Sequence, residues 1–289
     1  MSIDVLQNQI RKRKNPSMAS FFLDRTLIPP VVLQCECSVP KAYCNYTKQL
    51  LQELKDIVPA VRFGFGTFAI YGAEGITALQ ELLTVSKDLG YYVLLDLPEI
   101  TSAQEAAAIS EAVLDDSLWS FDGLTVSCYI GTDALKPFLD KMGSNDKDLF
   151  LLLRTGNKSA QELQDLLTGS RLVYTAAADI AKRVGQQLIG RSGFSRVAGV
   201  GPATSVDSLQ TLRSKYPEMF LLVDGYDYSG ANAKNCSFAF DRLGHGAIVC
   251  AGSSIIGAWK EETEADPLAA AVSAVERMKK NLTRYVTIL

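Results

Sequence analysis

The chain has 289 residues, of which 47% are hydrophobic and 21% are charged, and its formal net charge is −3 at pH 7. This composition is typical of a globular protein with a sizeable core, and the acidic balance argues against a nucleic-acid-binding protein, which would show a basic face. No apolar run reaches the roughly 18 residues that cross a membrane, and no signal peptide opens the sequence.

Near the start of the chain, the basic run Arg11–Lys14 is interpreted as the solvated face of a first helix. Cys35, Cys37 and Cys44 follow as a C-x-C pair with a third cysteine nearby. The only histidine, His245, lies far away in sequence, and there is no C-x-x-C pair. We therefore interpret the cysteines as ordinary thiols, and we expect no metal or other cofactor and a reducing, cytoplasmic location.

Apolar, β-rich runs then recur at regular spacing with amphipathic helical patterns between them. The predicted strands are Met18–Leu23, Val61–Phe65, Tyr91–Leu95, Gly123–Val126, Leu149–Leu153, Arg196–Val200, Phe220–Val223 and Ala247–Cys250. The predicted helices are Lys41–Ile57, Gly75–Leu89, Ala103–Leu114, Asp133–Met142, Ala160–Leu167, Tyr174–Leu188, Ser205–Tyr216, Ala231–Leu243 and Leu268–Leu282. Runs such as YYVLLDL are apolar without alternation, which is typical of parallel strands buried on both faces.

Eight strand–helix units in about 250 residues predict a (β/α)8 TIM barrel of the α/β class, formed by residues 1–289 as a single domain. A doubly wound open sheet is the alternative. It would favour a glycine-rich turn after the first strand, and FFLDRTLIPP contains no G-x-G-x-x-G. In a barrel the chemistry lies at the tips that follow the strands. The tip of the third strand, in VLLDLPEITSAQEAAA, offers Asp96, Pro98 and Glu99 but no lysine or histidine.

Several segments, in order along nearly the whole chain, together resemble orotidine 5'-monophosphate decarboxylases of the longer bacterial branch. They are MSIDVLQNQIRKRKNPS, AVRFGFGTFAIYGAEGITALQELL, LTVSCYIGTDALKPFL, LFLLLRTGNKSAQELQDLL, FLLVDGYDYSGANA and GHGAIVCAGSSIIGAW. The resemblance implies a TIM barrel, a lyase of pyrimidine biosynthesis that converts orotidine monophosphate to uridine monophosphate without a cofactor, and a homodimer formed through the strand-end face.

The resemblance implies catalytic positions at Arg62, Asp96 and Glu99. Asp96 and Glu99 match the two aspartates of the family's Asp-x-Lys-x-x-Asp array, and Arg62 matches its strand-two lysine. The loop DLPEI is two residues shorter than the family's DAKRGDI, and Pro98 stands nearest to the lysine that supplies the proton. Proline has no ionisable group, and a guanidinium is a poor proton donor near neutral pH. Arg62 is then either a partner of Asp96 or of a ligand, or part of a purely structural salt bridge.

The resemblance also implies ligand-binding positions, which are Thr155, Asn157, Ser229, Gly230, Gly252, Ser253 and Ser254. Gly156 replaces the serine that reads the base, Asp227 replaces a glycine of the phosphate loop, and Ser253 replaces the arginine that binds phosphate. Losing that arginine removes a contact worth about 1.5–3 kcal/mol, and Asp227 repels a phosphate. The segment AGSSII can still present N–H groups to an anion, or it is only a structural turn. Either Asp24 or Phe22 occupies the first-strand aspartate position.

Three functions remain open from the sequence. The chain is a divergent relative without decarboxylase activity, which binds a small anionic ligand such as a nucleotide or sugar phosphate, or which acts as a scaffold. Alternatively, Asp96, Glu99, Arg62 and Asn157 support lyase chemistry on a different anionic ligand. The third alternative is a genuine decarboxylase with a displaced lysine donor. No nucleic-acid or membrane partner is expected.

Overall fold

The computed structural model describes residues 2–97, 100–114, 118–142, 145–262 and 265–289. Eight parallel strands close into a barrel, which confirms the predicted TIM barrel. The strands are β1 Ser17–Phe21, β2 Ala60–Gly64, β3 Tyr92–Asp96, β4 Gly123–Ser127, β5 Asp148–Leu152, β8 Ser195–Pro202, β9 Met219–Asp224 and β10 Ala247–Ala251. Around the barrel they follow the order β1-β10-β9-β8-β5-β4-β3-β2. A separate two-stranded hairpin consists of β6 Leu167–Thr168 and β7 Arg171–Leu172.

The helices that surround the barrel begin at recognisable capping residues. Ser102 accepts the N–H of Glu105 at the start of one helix, and Asp266 accepts the N–H groups of Leu268 and Ala269 at the start of another. The helices are α1 Ser2–Arg13, α2 Pro30–Cys35, α3 Val39–Leu54, α4 Phe65–Ala69, α5 Gly72–Asp88, α6 Ala103–Val113, α7 Thr132–Met142, α8 Val173–Gly185, α9 Val206–Lys215, α10 Ala233–Ser237, α11 Ser253–Ile256 and α12 Pro267–Thr283. Within the described residues, no helix combines the length and the apolar character needed to cross a membrane.

Two of the predicted helices are wrong. Within Ala160–Leu167 the chain forms a short 3-10 helix and then enters the hairpin, because Asp165 pairs with Arg154 and the carbonyl of Gln164 accepts the N–H of Tyr174. Within Ala231–Leu243 only α10 is helical. These two segments therefore connect the strands as loops with short helical turns, in place of the long helices that the apolar spacing predicted.

The interior of the barrel is filled by aromatic side chains at its lower end, where the strands begin. Tyr92, Phe150, Phe220 and Phe194 stand in edge-to-face contact, with ring centroids 6.4, 6.4 and 5.9 Å apart. Such a packed interior leaves the space for a ligand at the opposite end, where the strands finish.

Helix α1 is held against that lower end by polar contacts. The carboxylate of Asp4 accepts the N–H groups of Arg191 and Ser192, and Gln7 accepts the N–H of Gly246. The hydrogen bonds to Asp4 hold the pKa of its carboxyl below the ordinary value, although burial works in the opposite direction.

A buried ionic network lies at the lower end of the strands. Arg196 donates to the carbonyls of Asn145 and Lys147 at 2.8 and 2.5 Å and lies 3.4 Å from the carboxylate of Asp148. The other oxygen of Asp148 accepts the Tyr92 hydroxyl at 2.8 Å. Both oxygens of Asp148 and the guanidinium of Arg196 thus have partners within this network.

Candidate active site

The side chain of Arg62 crosses the upper end of the barrel, which we call the mouth. It starts from β2 and reaches Asp96 at the end of β3, with its Nε and Nη2 atoms 2.8 and 2.7 Å from Oδ2. Its Nη1 atom lies 2.5 Å from Oδ1 of Asp224, at the end of β9. Because β2 and β9 are not neighbours in the barrel, the guanidinium ties together strands from different sides of the mouth.

The surroundings of Arg62 fix its charge. Burial works to lower the pKa of the guanidinium, but Asp224 and Asp96 outweigh it and raise the pKa well above the ordinary value. Arg62 is 7% exposed. A guanidinium in this position binds anions and orients carboxylates, but it does not release a proton at neutral pH.

Asp224 is a residue that the sequence reasoning did not single out. The signal was present, because Asp224 ends the apolar run FLLVD just as Asp96 ends VLLD. Both carboxylates stand at the carboxyl end of a buried strand, where the barrel places its functional groups. The sequence does not show that a single arginine bridges the two carboxylates.

The segment that follows β1 contributes Phe22 and Asp24, and both line the mouth. The ring of Phe22 lies against the guanidinium of Arg62, 5.4 Å from its centre, and also fills the space above Gly64. A Cβ atom on Gly64 would lie 2.2 Å from the Phe22 ring. Asp24 instead accepts the N–H of Thr26 and caps a short 3-10 turn. Phe22, and not a carboxylate, is therefore the first-strand contact of Arg62.

Arg62, Asp96 and Asp224 form an ion triad, and two cavities open at the mouth on either side of it. The first, of about 210 Å³, lies by the ends of β1, β9 and β10 and is lined by Asp24, Asp224 and Asp227. The second, of about 340 Å³, lies by the ends of β3, β4 and β5 and is lined by Arg62 and Asp96. No lysine lies among the described residues that line either cavity.

The loop after β9 folds back onto the loop after β10 through Asp227. Its Oδ2 atom accepts the N–H of Gly252 at 2.6 Å and lies 3.3 Å from the Ser253 hydroxyl, and its Oδ1 atom accepts the Ser254 hydroxyl. The donors of AGSSII, which the sequence left open as either an anion site or a structural turn, are therefore occupied by a carboxylate of the chain itself. The neighbouring Ser229 and Gly230 are exposed, and the carbonyl of Gly230 accepts from Asn235.

The loop after β5 is held by its own hydrogen bonds. The hydroxyl of Thr155 donates to Asn157 at 2.5 Å, and the backbone N–H of Thr155 donates to Gln164 at 2.8 Å. The ring of Tyr228 covers Gly156, where a Cβ atom would lie 3.0 Å from the ring. The two predicted ligand-binding residues of this loop, Thr155 and Asn157, bond to each other beside the mouth.

Three buried polar atoms at the mouth lack a hydrogen-bond partner among the described residues. They are Oγ of Ser20, Oδ1 of Asp96 and Oγ1 of Thr125. Ser20 lines the first cavity, and Asp96 and Thr125 line the second. Unsatisfied polar atoms that gather in one place are unusual and call for an explanation.

Two residues singled out in the sequence cannot be placed, and one cysteine that was not singled out lines the mouth. Pro98 and Glu99 lie outside the described residues. The thiol of Cys250 lines the first cavity, but burial raises its pKa to about 12, so it stays protonated. Within the described part of the chain, no group of three or more metal-ligating side chains comes together.

Comparison with known proteins relates this geometry to a family. Residues 48–268 match the model of the orotidine 5'-phosphate decarboxylase / HUMPS family. The orotidine 5'-phosphate decarboxylase of Clostridium acetobutylicum is 26% identical over 289 residues, covering 98% of this chain and 100% of the relative. That of Rhodopirellula baltica is 30% identical and covers 78% of this chain and 76% of the relative. The structure of Leishmania donovani OMP decarboxylase aligns with a TM-score of 0.73 at 25% identity, covering 98% of this chain and 99% of that one.

Proposed function

Because the chain belongs to the orotidine 5'-phosphate decarboxylase / HUMPS family, we propose that it is a divergent member that binds a small ligand at the mouth but does not decarboxylate orotidine monophosphate. The observation that carries this proposal is the state of Arg62, which is buried and held between Asp96 and Asp224. The family resemblance implies a lysine at that position, and it implies a second lysine, the proton donor, whose nearest counterpart here is Pro98.

The chemistry of decarboxylation explains why this matters. When the bond to the carboxylate breaks, carbon dioxide leaves and the electron pair stays on the ring carbon, which must then receive a proton. The donor has to lie within hydrogen-bond reach and release its proton readily. Asp224 and Asp96 raise the pKa of Arg62 and make it a worse donor still. The described residues that line the cavities include no lysine that could replace it.

The test is a direct assay of purified protein with orotidine monophosphate, in which absorbance is followed over hours. Loss of a proton donor and of a phosphate contact each removes several kcal/mol, so turnover should be at least about a million-fold below that of a true decarboxylase. The Clostridium acetobutylicum relative, assayed in parallel, is the positive control. Turnover near that of the control, abolished by Asp96→Ala, would overturn the proposal and point to a displaced lysine.

We also propose that the chain forms a homodimer through the strand-end face. Two large apolar side chains stand exposed on segments that follow barrel strands, namely Ile70 at the end of α4 after β2, which is 77% exposed, and Leu167 in the hairpin after β5, which is 74% exposed. Sedimentation at micromolar concentration should give a dimer, and the double substitution Ile70→Glu with Leu167→Glu should give a monomer. A monomeric wild-type protein would contradict this assembly.

A further inference from the structure

Two of the six cysteines differ from the others because solvent reaches them, and these are Cys35 and Cys37. The four buried cysteines are Cys44, Cys128, Cys236 and Cys250. Burial raises the pKa of each of those four thiols to about 12, so they stay protonated. Because thiol oxidation starts from the thiolate and the oxidant must reach it, the buried thiols are inert. The reaction of this chain with an oxidant in solvent therefore falls to Cys35 and Cys37.

The two exposed thiols flank a single residue, Glu36, in the link between two helices. Cys35 is the last residue of α2, and Ser38 caps α3 by accepting the N–H of Lys41. One intervening residue holds the Cα atoms of Cys35 and Cys37 within about 7 Å of each other. A disulfide needs a Cα–Cα separation of about 4.4–6.8 Å. The covalent chain alone thus keeps the two cysteines near bridging distance.

The backbone conformation of Glu36 controls whether a bridge between its neighbours can close. Its φ of −119° and ψ of 152° are extended, which puts the two flanking Cα atoms near the upper limit of their separation. Most disulfides have a Cα–Cα separation of about 5.5–6 Å. Closing the bridge therefore requires Glu36 to turn away from the extended conformation.

The side chain of Glu36 resists that turn because it is tied to α3. Nδ2 of Asn45 donates to its Oε1 atom at 2.6 Å, and Nζ of Lys41 lies 3.8 Å from its Oε2 atom. The lysine side chain is 56% exposed, so this long ion pair contributes little. The hydrogen bond from Asn45 to an ionised carboxylate is the stronger contact. It holds Glu36 in the conformation that keeps the two thiols apart.

We propose that Cys35 and Cys37 form a reversible disulfide by exchange with small disulfides, and that the hydrogen bond between Asn45 and Glu36 opposes this bridge. The site is separate from the mouth and does not rest on the proposed function. It assigns a covalent modification to the link between α2 and α3.

The reaction proceeds by two thiol–disulfide exchanges. The thiolate of one cysteine attacks a sulfur of the small disulfide, whose S–S bond breaks, and one small thiol leaves. The thiolate of the other cysteine then attacks the protein sulfur of this mixed disulfide and displaces the second small thiol. The protein loses two protons and two electrons, and the small disulfide takes them up as two thiols.

The first experiment equilibrates the full-length protein with reduced and oxidised glutathione in varied ratios. After acid quenching and alkylation, trypsin releases residues 26–41 as one peptide that contains Cys35 and Cys37 and no other cysteine. We expect mass spectrometry to show a peptide that has lost two hydrogens and carries no glutathione. Its amount should rise with oxidised glutathione, and dithiothreitol should abolish it. A main product that carries glutathione, or a peptide that stays reduced throughout, would overturn the proposal.

Two cysteine variants then assign the bridge. Cys37→Ser removes the second thiol, so the reaction should stop at a glutathione adduct on Cys35. Cys128→Ser changes a buried cysteine and should leave the bridge unchanged. Unfolding of each variant is recorded to confirm that it folds. Loss of the bridge in folded Cys128→Ser, or a disulfide from Cys35 to another peptide in Cys37→Ser, would overturn the pairing.

The opposing role of the Glu36 contact is tested with Asn45→Ala. Without its hydrogen bond Glu36 turns more freely, so the equilibrium constant for the bridge against glutathione should rise about tenfold. Asn8→Ala removes the same side chain from an exposed position on α1 and should leave the constant unchanged. Unfolding curves of both variants confirm that they fold. A constant in folded Asn45→Ala equal to or below that of the wild type would overturn this role.

Discussion

Each end of the barrel buries an arginine against carboxylates, Arg196 at the lower end and Arg62 at the mouth, but the carboxylate oxygens around the two arginines are not equally hydrogen-bonded. At the lower end, both oxygens of Asp148 are bonded, its side chain is 0% exposed, and Arg196 also donates to two backbone carbonyls. At the mouth, Asp96 and Asp224 are 17% and 33% exposed, and one oxygen of Asp96 has no partner among the described residues.

This difference is the one expected between a structural ion network and a network that serves the proposed ligand site. A buried network stabilises a fold when every member is satisfied, and a partly satisfied network is costly. Proteins tolerate that cost mainly where a ligand or a reaction needs the unsatisfied group. Similar residue types at the two ends are therefore expected to respond differently to substitution.

The largest effect is expected from Arg196→Met at the lower end. It leaves a buried carboxylate and two buried carbonyls without their donor, so the free energy of unfolding should fall by about 3–5 kcal/mol. Urea unfolding at neutral pH measures this loss. A decrease in the free energy of unfolding of less than about 1 kcal/mol would contradict the contacts, in which Arg196 is the donor to these buried acceptors.

The second effect is a dependence of stability on pH that comes from Asp148. Burial, opposed by the Tyr92 hydroxyl and by Arg196, raises the pKa of its carboxyl from 3.8 to about 7. The folded state then holds this proton more tightly than the unfolded state, so the stabilisation is complete below pH 3.8 and is lost as the pH rises through 7. We expect the free energy of unfolding to fall by on the order of 2 kcal/mol between pH 5 and pH 8.

The matched control for this prediction is Asp148→Asn, which cannot titrate. Subtracting its pH profile from that of the wild type isolates the contribution of Asp148 from that of every other group. A difference that stays flat from pH 5 to pH 8, or that rises, would contradict the prediction.

A smaller loss is expected from Arg62→Met at the mouth. Asp96 and Asp224 lose their counter-charge, but both are partly exposed and can take up water. The free energy of unfolding should therefore fall by only about 1–2 kcal/mol, which is between the values for surface and buried ion pairs. If Arg62→Met cost as much as Arg196→Met, the contrast between the two ends would disappear.

The smallest effect has the opposite sign. The hydroxyl of Thr125 lacks a partner at the mouth, so Thr125→Val removes an uncompensated buried group and should be neutral or stabilising by up to about 1 kcal/mol. The matched change at the lower end, Tyr92→Phe, removes a hydroxyl that bonds to Asp148 and should destabilise by about 1 kcal/mol. Unfolding curves of the two variants, measured side by side, give the two changes in the free energy of unfolding. Equal decreases would contradict the prediction.

The fold could be predicted from the sequence because the barrel strands are continuous apolar runs that end in turn residues. The run LFLLL, for example, is the core of β5. The loops could not be predicted in the same way. Gln164 and Asp165 fit a helical pattern, yet they bond to Thr155 and Arg154 at the end of the preceding strand, and those contacts depend on the path of the loop and not on helical spacing.

The site was predictable in its parts but not in its connections. Arg62 and Asp96 stand out as charged residues in or beside buried strands, and Asp227 stands out as a charge in a phosphate-loop position. That Asp224 shares Arg62, and that Asp227 reaches Gly252, depends on which strands become neighbours and on the reach of each side chain. Sequence spacing carries no information about either distance.

The contact of Phe22 with Gly64 also constrains how such a mouth can change over time. Any side chain at position 64 would collide with the Phe22 ring, and that ring in turn covers Arg62. A side chain at position 64 therefore requires either a smaller residue at position 22 or a displacement of the Phe22 ring. Substitutions at position 64 alone should then destabilise the fold more than the same substitutions combined with a smaller residue at position 22, so that the two positions are coupled.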